Sequence, residues 1–174
     1  MKYQGLTYLF VTILIAGFFI SCQKEEQYPI IPEIEFDHFV KLWDPPSMTY
    51  QRGVFVITFK DGDGDIGLRD DELDPPFDFN MFVNYYELQN GDTVLTPLVT
   101  YNQVTQTYDT STFNTRIPIL TPFGSNKSIS GTIEDTLFMY NSRSSFDTIM
   151  FDTYIVDREL HKSNVVNTGW FLRN

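Results

Sequence analysis

With one cysteine, Cys22, in 174 residues, the chain can form no internal disulfide, so an exported form must stand on its core or on a metal. Histidine is nearly as scarce. His38 and His161 are the only two, and neither falls in an HExxH or similar metal pattern, so both read as surface residues rather than general bases. There is no GxSxG nucleophile elbow and no glycine-rich phosphate loop carrying a lysine. A glycosidase needs two carboxylates across a cleft, and the sequence offers many acids with no way to choose a pair. Basic side chains number 12 against 23 acidic ones, for a net charge of −11. Without a basic stripe to neutralise phosphates, nucleic acid is excluded as a partner. No segment carries a long apolar repeat at helical spacing. The two tryptophans, Trp43 and Trp170, are expected in the core rather than stacked on a sugar.

The longest apolar stretch is Leu9–Ile20, 12 residues long. It falls short of the roughly 20 residues that span a bilayer as a helix and matches the apolar region of a secretory signal. Lys2 precedes it and Ser21-Cys22 follow. Phe19-Ile20-Ser21-Cys22 resembles the lipoprotein box of bacterial export signals, with Phe19 bulkier than the usual leucine. The resemblance implies cleavage before Cys22 and covalent diacylglycerol and acyl chains on that residue. Two or more chains anchor stably, because each buried methylene contributes about 0.8 kcal/mol. Gln23-Lys24-Glu25-Glu26 then resembles the surface-export signal of lipoproteins in the phylum Bacteroidota. That resemblance implies the outer membrane, facing the cell exterior; a plain polar linker would read the same way. The expected organisation is a signal peptide at 1–21, lipidated cysteine and tether at 22–32, and one domain at 33–174.

Aromatic residues are plentiful, with 16 Phe and 10 Tyr, which favours strands. Gly53–Lys60 alternates, sending Phe55, Ile57 and Phe59 to one face. Met81–Gln89 is an aromatic-rich run ending at the turn signal Asn90-Gly91-Asp92, with Thr93–Tyr101 as the expected return strand. Arg116–Leu120 is expected as a short edge strand, since Pro118 lies in it and Pro122 follows. Ile129–Glu134 and Thr148–Asp157 follow, the latter with Ile149, Phe151 and Ile155 on one face, and Val165–Leu172 closes the chain. Seven or eight short strands with turn-rich links predict an all-β fold, a single β-sandwich. The tail, Tyr154-Ile155-Val156-Asp157-Arg158 and then His161-Lys162-Ser163-Asn164-Val165, resembles the last two strands of immunoglobulin-like modules in bacterial surface proteins.

One stretch carries chemistry. Asp61–Glu72 reads DGDGDIGLRDDE, placing Asp61, Asp63 and Asp65 at positions 1, 3 and 5 of a calcium loop, with the Gly67 carbonyl at 7 and Glu72 at 12. Calcium takes about 6–8 oxygens, which alternate carboxylates supply around one centre. Ile66 stands where an EF-hand needs glycine, Arg69 brings no side-chain oxygen, and no flanking helix is evident. The run resembles the Asp-rich loops between strands of secreted bacterial proteins, and DGDGDIG itself is similar to a run in Bacteroidota surface lipoproteins. Asp70 or Asp71 is an alternative to Glu72, and a solvated Asp/Gly turn is the alternative to any metal. These readings predict a non-catalytic, membrane-anchored binding or accessory module with a structural calcium loop and a protein or glycan partner. A subunit of an outer-membrane uptake or secretion complex and a small glycan or peptide hydrolase are the alternatives.

Overall fold

The structure, a computed structural model, describes residues 27–121, 128–139, 141 and 144–174. The expected signal peptide, its cleavage site, Cys22 and Lys24-Glu25-Glu26 lie outside the described residues. No described helix is long and apolar enough to cross a membrane.

The domain is all-β and sandwich-like. β1 (Glu33–Asp44), β2 (Thr49–Asp61) and β7 (Ile129–Phe138) form one antiparallel sheet in the order β1-β2-β7. β3 (Met81–Gln89), β4 (Asp92–Leu95), β8 (Thr148–Ile155) and β10 (Phe171–Leu172) form the second, in the order β10-β8-β3-β4, with β9 (Val166–Asn167) also pairing β8. A separate hairpin joins β5 (Leu98–Asn102) to β6 (Thr107–Ser111).

Strand alternation builds the core. Phe55 and Ile57 of β2 are fully buried, as are Ile149, Phe151 and Ile155 of β8, and the inner residues Met81, Val83 and Tyr85 of β3 meet them in one cluster. Aromatic rings bridge the two sheets. Phe39 of β1 stacks on Phe151 of β8 at 5.7 Å and meets Phe171 of β10 at 4.9 Å. Such ring pairs add about 0.5–1.5 kcal/mol each beyond the area they bury.

Several local expectations change. β1 is a 12-residue strand that begins directly after the Pro-punctuated stretch. The expected return strand ends at Leu95, because Pro97 has no N–H to donate, and the chain departs into the β5–β6 hairpin. Residues 116–120 make only the isolated parallel bridge Leu68↔Pro118 instead of an edge strand. The closing strand is split into β9 and β10 around Gly169, at φ +66°. Neither tryptophan is in the core: Trp43 is 53% exposed and Trp170 40%. Trp43 sits past a register shift between Leu42 and Trp43 and packs edge-on against Tyr50 at 5.2 Å. The expected tether docks on the domain from Tyr28 onward, where the Pro29 carbonyl accepts the Gly62 N–H at 2.7 Å and Pro32 is buried.

Candidate metal centre

The Asp-rich loop lies where the chain leaves β2 and crosses to the other sheet. Asp61 is the last residue of β2, still paired with Ile129 of β7, and is fully buried. The loop is fastened at several points. Ile66, in place of the EF-hand glycine, is 1% exposed and belongs to the core, a burial that contributes about 2–3 kcal/mol. Leu68 N donates to the Ile117 carbonyl at 2.9 Å, and the Thr121 hydroxyl donates to the Gly64 carbonyl. Gly67, at φ +128°, runs so close to the neighbouring chain that a Cβ there would meet the Ile119 Cα at 2.4 Å. A loop this constrained holds its side chains in fixed directions.

Those directions converge. One carboxylate oxygen from each of Asp61, Asp63 and Asp65 lies within 4.8 Å of the other two. The second oxygens of two of them are occupied: Asp61 Oδ2 accepts the Ile66 N–H at 3.2 Å, and Asp65 Oδ2 accepts the Glu159 N–H at 3.1 Å. In contrast, Asp61 Oδ1, Asp63 Oδ1 and Asp65 Oδ1 are all buried with no hydrogen-bond partner among the described residues. Buried polar atoms are nearly always partnered, so three orphans of one sign in one place form a built feature.

The electrostatics agree. Burial pushes the Asp61 carboxyl up to about 7, the Ile66 N–H opposes this, and the Asp63 and Asp65 charges add to it. Burial likewise pushes Asp65 up to about 6, with the charges of Asp157 and Asp63 adding to the effect. Two unit charges at the 4.8 Å limit repel by roughly 3 kcal/mol at an effective dielectric constant of about 20. Protons or a cation must relieve that. Three hard oxygens with no sulfur or imidazole among them match calcium or magnesium rather than zinc or copper.

Of the other expected ligands, the carboxylates of Glu72, Asp70 and Asp71 lie outside this group. Glu72 is taken by Arg158, which grips it with two bonds at 2.6 and 2.7 Å, while the Arg69 N–H adds a third at 2.7 Å. Those contacts, Arg158 first, hold its carboxyl down at about 2. The Gly67 carbonyl accepts from the same guanidinium at 3.2 Å. Asp70 and Asp71 are exposed and outside the cluster. The guanidinium thus occupies the seventh and twelfth loop positions, and the converging oxygens come from the first, third and fifth.

Sequence reasoning missed Arg158 and its neighbour Asp157. Asp157 accepts the His161 N–H at 2.7 Å and faces His161 Nδ1 at 3.0 Å, closing the corner after β8. His38, more than half exposed, faces Asp37 at 3.1 Å. At the other end of β3, Glu87 is fully buried and accepts four bonds, from Tyr85, Gln89, Asn141 and Ser144 at 2.6–3.2 Å. With its lone pairs filled, it fixes local structure and leaves no acceptor for a ligand. No family model, curated protein or solved structure matches the chain.

Proposed function

We propose that this protein is a non-catalytic, lipid-anchored binding or accessory module on the outer face of an outer membrane, with a structural calcium ion held by Asp61, Asp63 and Asp65. The observation that carries the metal reading is that Asp61, Asp63 and Asp65 bring carboxylate oxygens within 4.8 Å of one another and that each holds a buried oxygen with no partner among the described residues. Backbone carbonyls and water would complete the shell of about 6–8 oxygens.

Calcium here has a mechanical role. The loop is bonded to the N-terminal segment through Gly62–Pro29 and to the corner after β8 through Asp65–Glu159. Neutralising the carboxylates fastens three separate pieces of chain at one end of the sandwich. Pro29 stands seven positions after Cys22 in the sequence. Extracellular modules commonly bind calcium at about 10⁻⁴–10⁻³ M, which suits an external pool.

Calcium titrated calorimetrically into residues 23–174 should fill one site, with magnesium weaker and Asp63→Asn with Asp65→Asn binding neither. Absence of binding at about 10 mM calcium would end the metal reading. The anchor is tested separately. Cys22→Ala should shift the chain from the membrane fraction to the soluble one, and an unchanged distribution would contradict lipidation.

A second reading, a subunit of a membrane-associated complex, is favoured by the outer face of the three-stranded sheet. Leu42 and Phe138 flank Arg52 in one row, 37% and 51% exposed, with Val40 at 47% in the next row. Chemical crosslinking on intact cells should trap a membrane protein through this face if that reading holds.

A further inference from the structure

A groove of about 480 Å³ runs beside β3, where core residues Val83, Tyr85 and Phe113 and the outward-facing Phe82 and Asn84 both contribute to its lining. Its floor is β3, and its walls are residues 95–97, which link β4 to β5, and residues 110–114. The volume falls in the range of small-molecule sites. None of its lining residues among the described ones carries a charge, in a protein whose net charge is −11. A site for a cation, an anion or a charged peptide would place a counter-charge at the ligand, because an unpaired buried charge is costly.

The groove instead offers an aromatic plane with neutral hydrogen-bonding groups. Phe82 of β3 and Tyr154 of β8, paired directly across the sheet, stack at 4.9 Å with only 10° between their planes. The Lys162 ammonium caps the Tyr154 ring at 3.6 Å. The stack is therefore closed at the lysine end, and the second face of Phe82 is its remaining apolar plane. Beside it, Asn84 donates its amide to Asp152 at 2.8 Å, which leaves Asn84 Oδ1 as an acceptor. Asn114 is set the opposite way. Its Oδ1 accepts the Val83 N–H at 3.2 Å, which leaves its NH₂ group to donate. Thr110, Ser111 and Thr112 line the facing wall.

An aromatic face, an amide oxygen on one side and an amide NH₂ on another match a ring with C–H bonds on its faces and hydroxyls at its edge. Each hydroxyl both donates and accepts, and the electron-rich ring face attracts the polarised C–H bonds. We propose that this groove binds a neutral oligosaccharide, with Phe82 as the stacking platform and Asn84 and Asn114 reading the hydroxyls. The proposal names a ligand for the binding-module reading. It uses none of the Asp-loop residues, so its failure and the failure of calcium binding are distinguishable.

The test uses the full anchored chain in a zwitterionic detergent without a sugar headgroup. Saturation-transfer NMR and calorimetry are run against hexasaccharides of glucose (α- and β-linked), xylose and mannose. Trigalacturonate and an uncharged proline-rich decapeptide serve as the contrasting probes. At least one neutral hexasaccharide should bind, Phe82→Leu should weaken it tenfold or more, and Trp43→Leu and Trp170→Leu should leave it unchanged. Ser111→Arg, which adds a long side chain at an exposed residue lining the groove, should abolish binding in a folded protein. This second variant decides the matter if Phe82→Leu disturbs the fold. The proposal is overturned if no neutral hexasaccharide binds at about 10 mM, or if binding survives both variants. It is equally overturned if trigalacturonate or the peptide occupies the groove in preference.

Discussion

Calcium should drive protons off the Asp loop. Without metal, Asp61 titrates near 7 and Asp65 near 6, both raised chiefly by burial. Calcium requires the ionised forms, so binding below these values must release protons. Those two values give about one proton released at pH 6.5 and almost none at pH 8.5. The dissociation constant should then rise roughly fivefold between pH 8.5 and 6.5, and roughly a hundredfold by pH 5.5. Calorimetry in two buffers of different ionisation enthalpy counts the protons directly. Stability in chelator supplies the sign. A carboxyl whose folded pKa is raised contributes stability below its unfolded value near 4, and that contribution is lost as pH rises through 6 to 7. In chelator the protein should therefore melt lower at pH 8 than at pH 5, and saturating calcium should remove or invert that trend. A dissociation constant that is flat from pH 8.5 to 5.5, with no proton release, would refute the reasoning.

Other consequences are local. Gly67→Ala meets both an unfavourable φ of +128° and a 2.4 Å approach to the Ile119 Cα, and should cost at least about 2 kcal/mol in urea unfolding. Gly62→Ala places a Cβ 2.3 Å from the Tyr28 carbonyl oxygen, so it should undock residues 28–32 and open them to limited proteolysis while the core stays folded. Arg158→Ala should let the Glu72 carboxyl climb from about 2 toward its ordinary range, read by carboxyl NMR titration. Because that carboxyl is held low in the fold, the stabilisation it gives is present above pH 4.5 and disappears only as pH falls toward 2. Glu87→Ala strands four donors around a buried site and should cost about 2–4 kcal/mol.

What the sequence conveyed about this fold was local. β3 begins and ends where its aromatic run does, at Met81 and Gln89, and Asn90-Gly91 makes the two-residue turn, both at positive φ. The buried face of β2 was legible because Phe55, Ile57 and Phe59 alternate without interruption. β1 hid for the opposite reason. Charged residues intersperse its apolar ones, and a register shift between Phe36 and His38 breaks the two-residue period midway. The tryptophans misled because size alone predicts burial, whereas Trp43 lies beyond a bulge at the strand end. In the Asp loop, the spacing of Asp61, Asp63 and Asp65 is a property of five consecutive residues and reads directly. The fate of Glu72 depends on Arg158, 86 positions later, and no local pattern announces that pairing. The groove was equally out of reach, since Phe82 and Tyr154 become neighbours only through the β3–β8 register.

The central claim is that the Asp loop holds calcium and that calcium stiffens the domain. The most direct measurement is the melting temperature of residues 23–174 at neutral pH, with calcium and with chelator. At about 100 times its dissociation constant a ligand stabilises by about 2.7 kcal/mol, which for a domain of this size is a rise of roughly 5–10 °C. The account predicts that rise, and its loss in Asp63→Asn with Asp65→Asn. An unchanged melting temperature at millimolar calcium would contradict it and leave residues 61–65 as a turn whose carboxyls hold protons instead of metal.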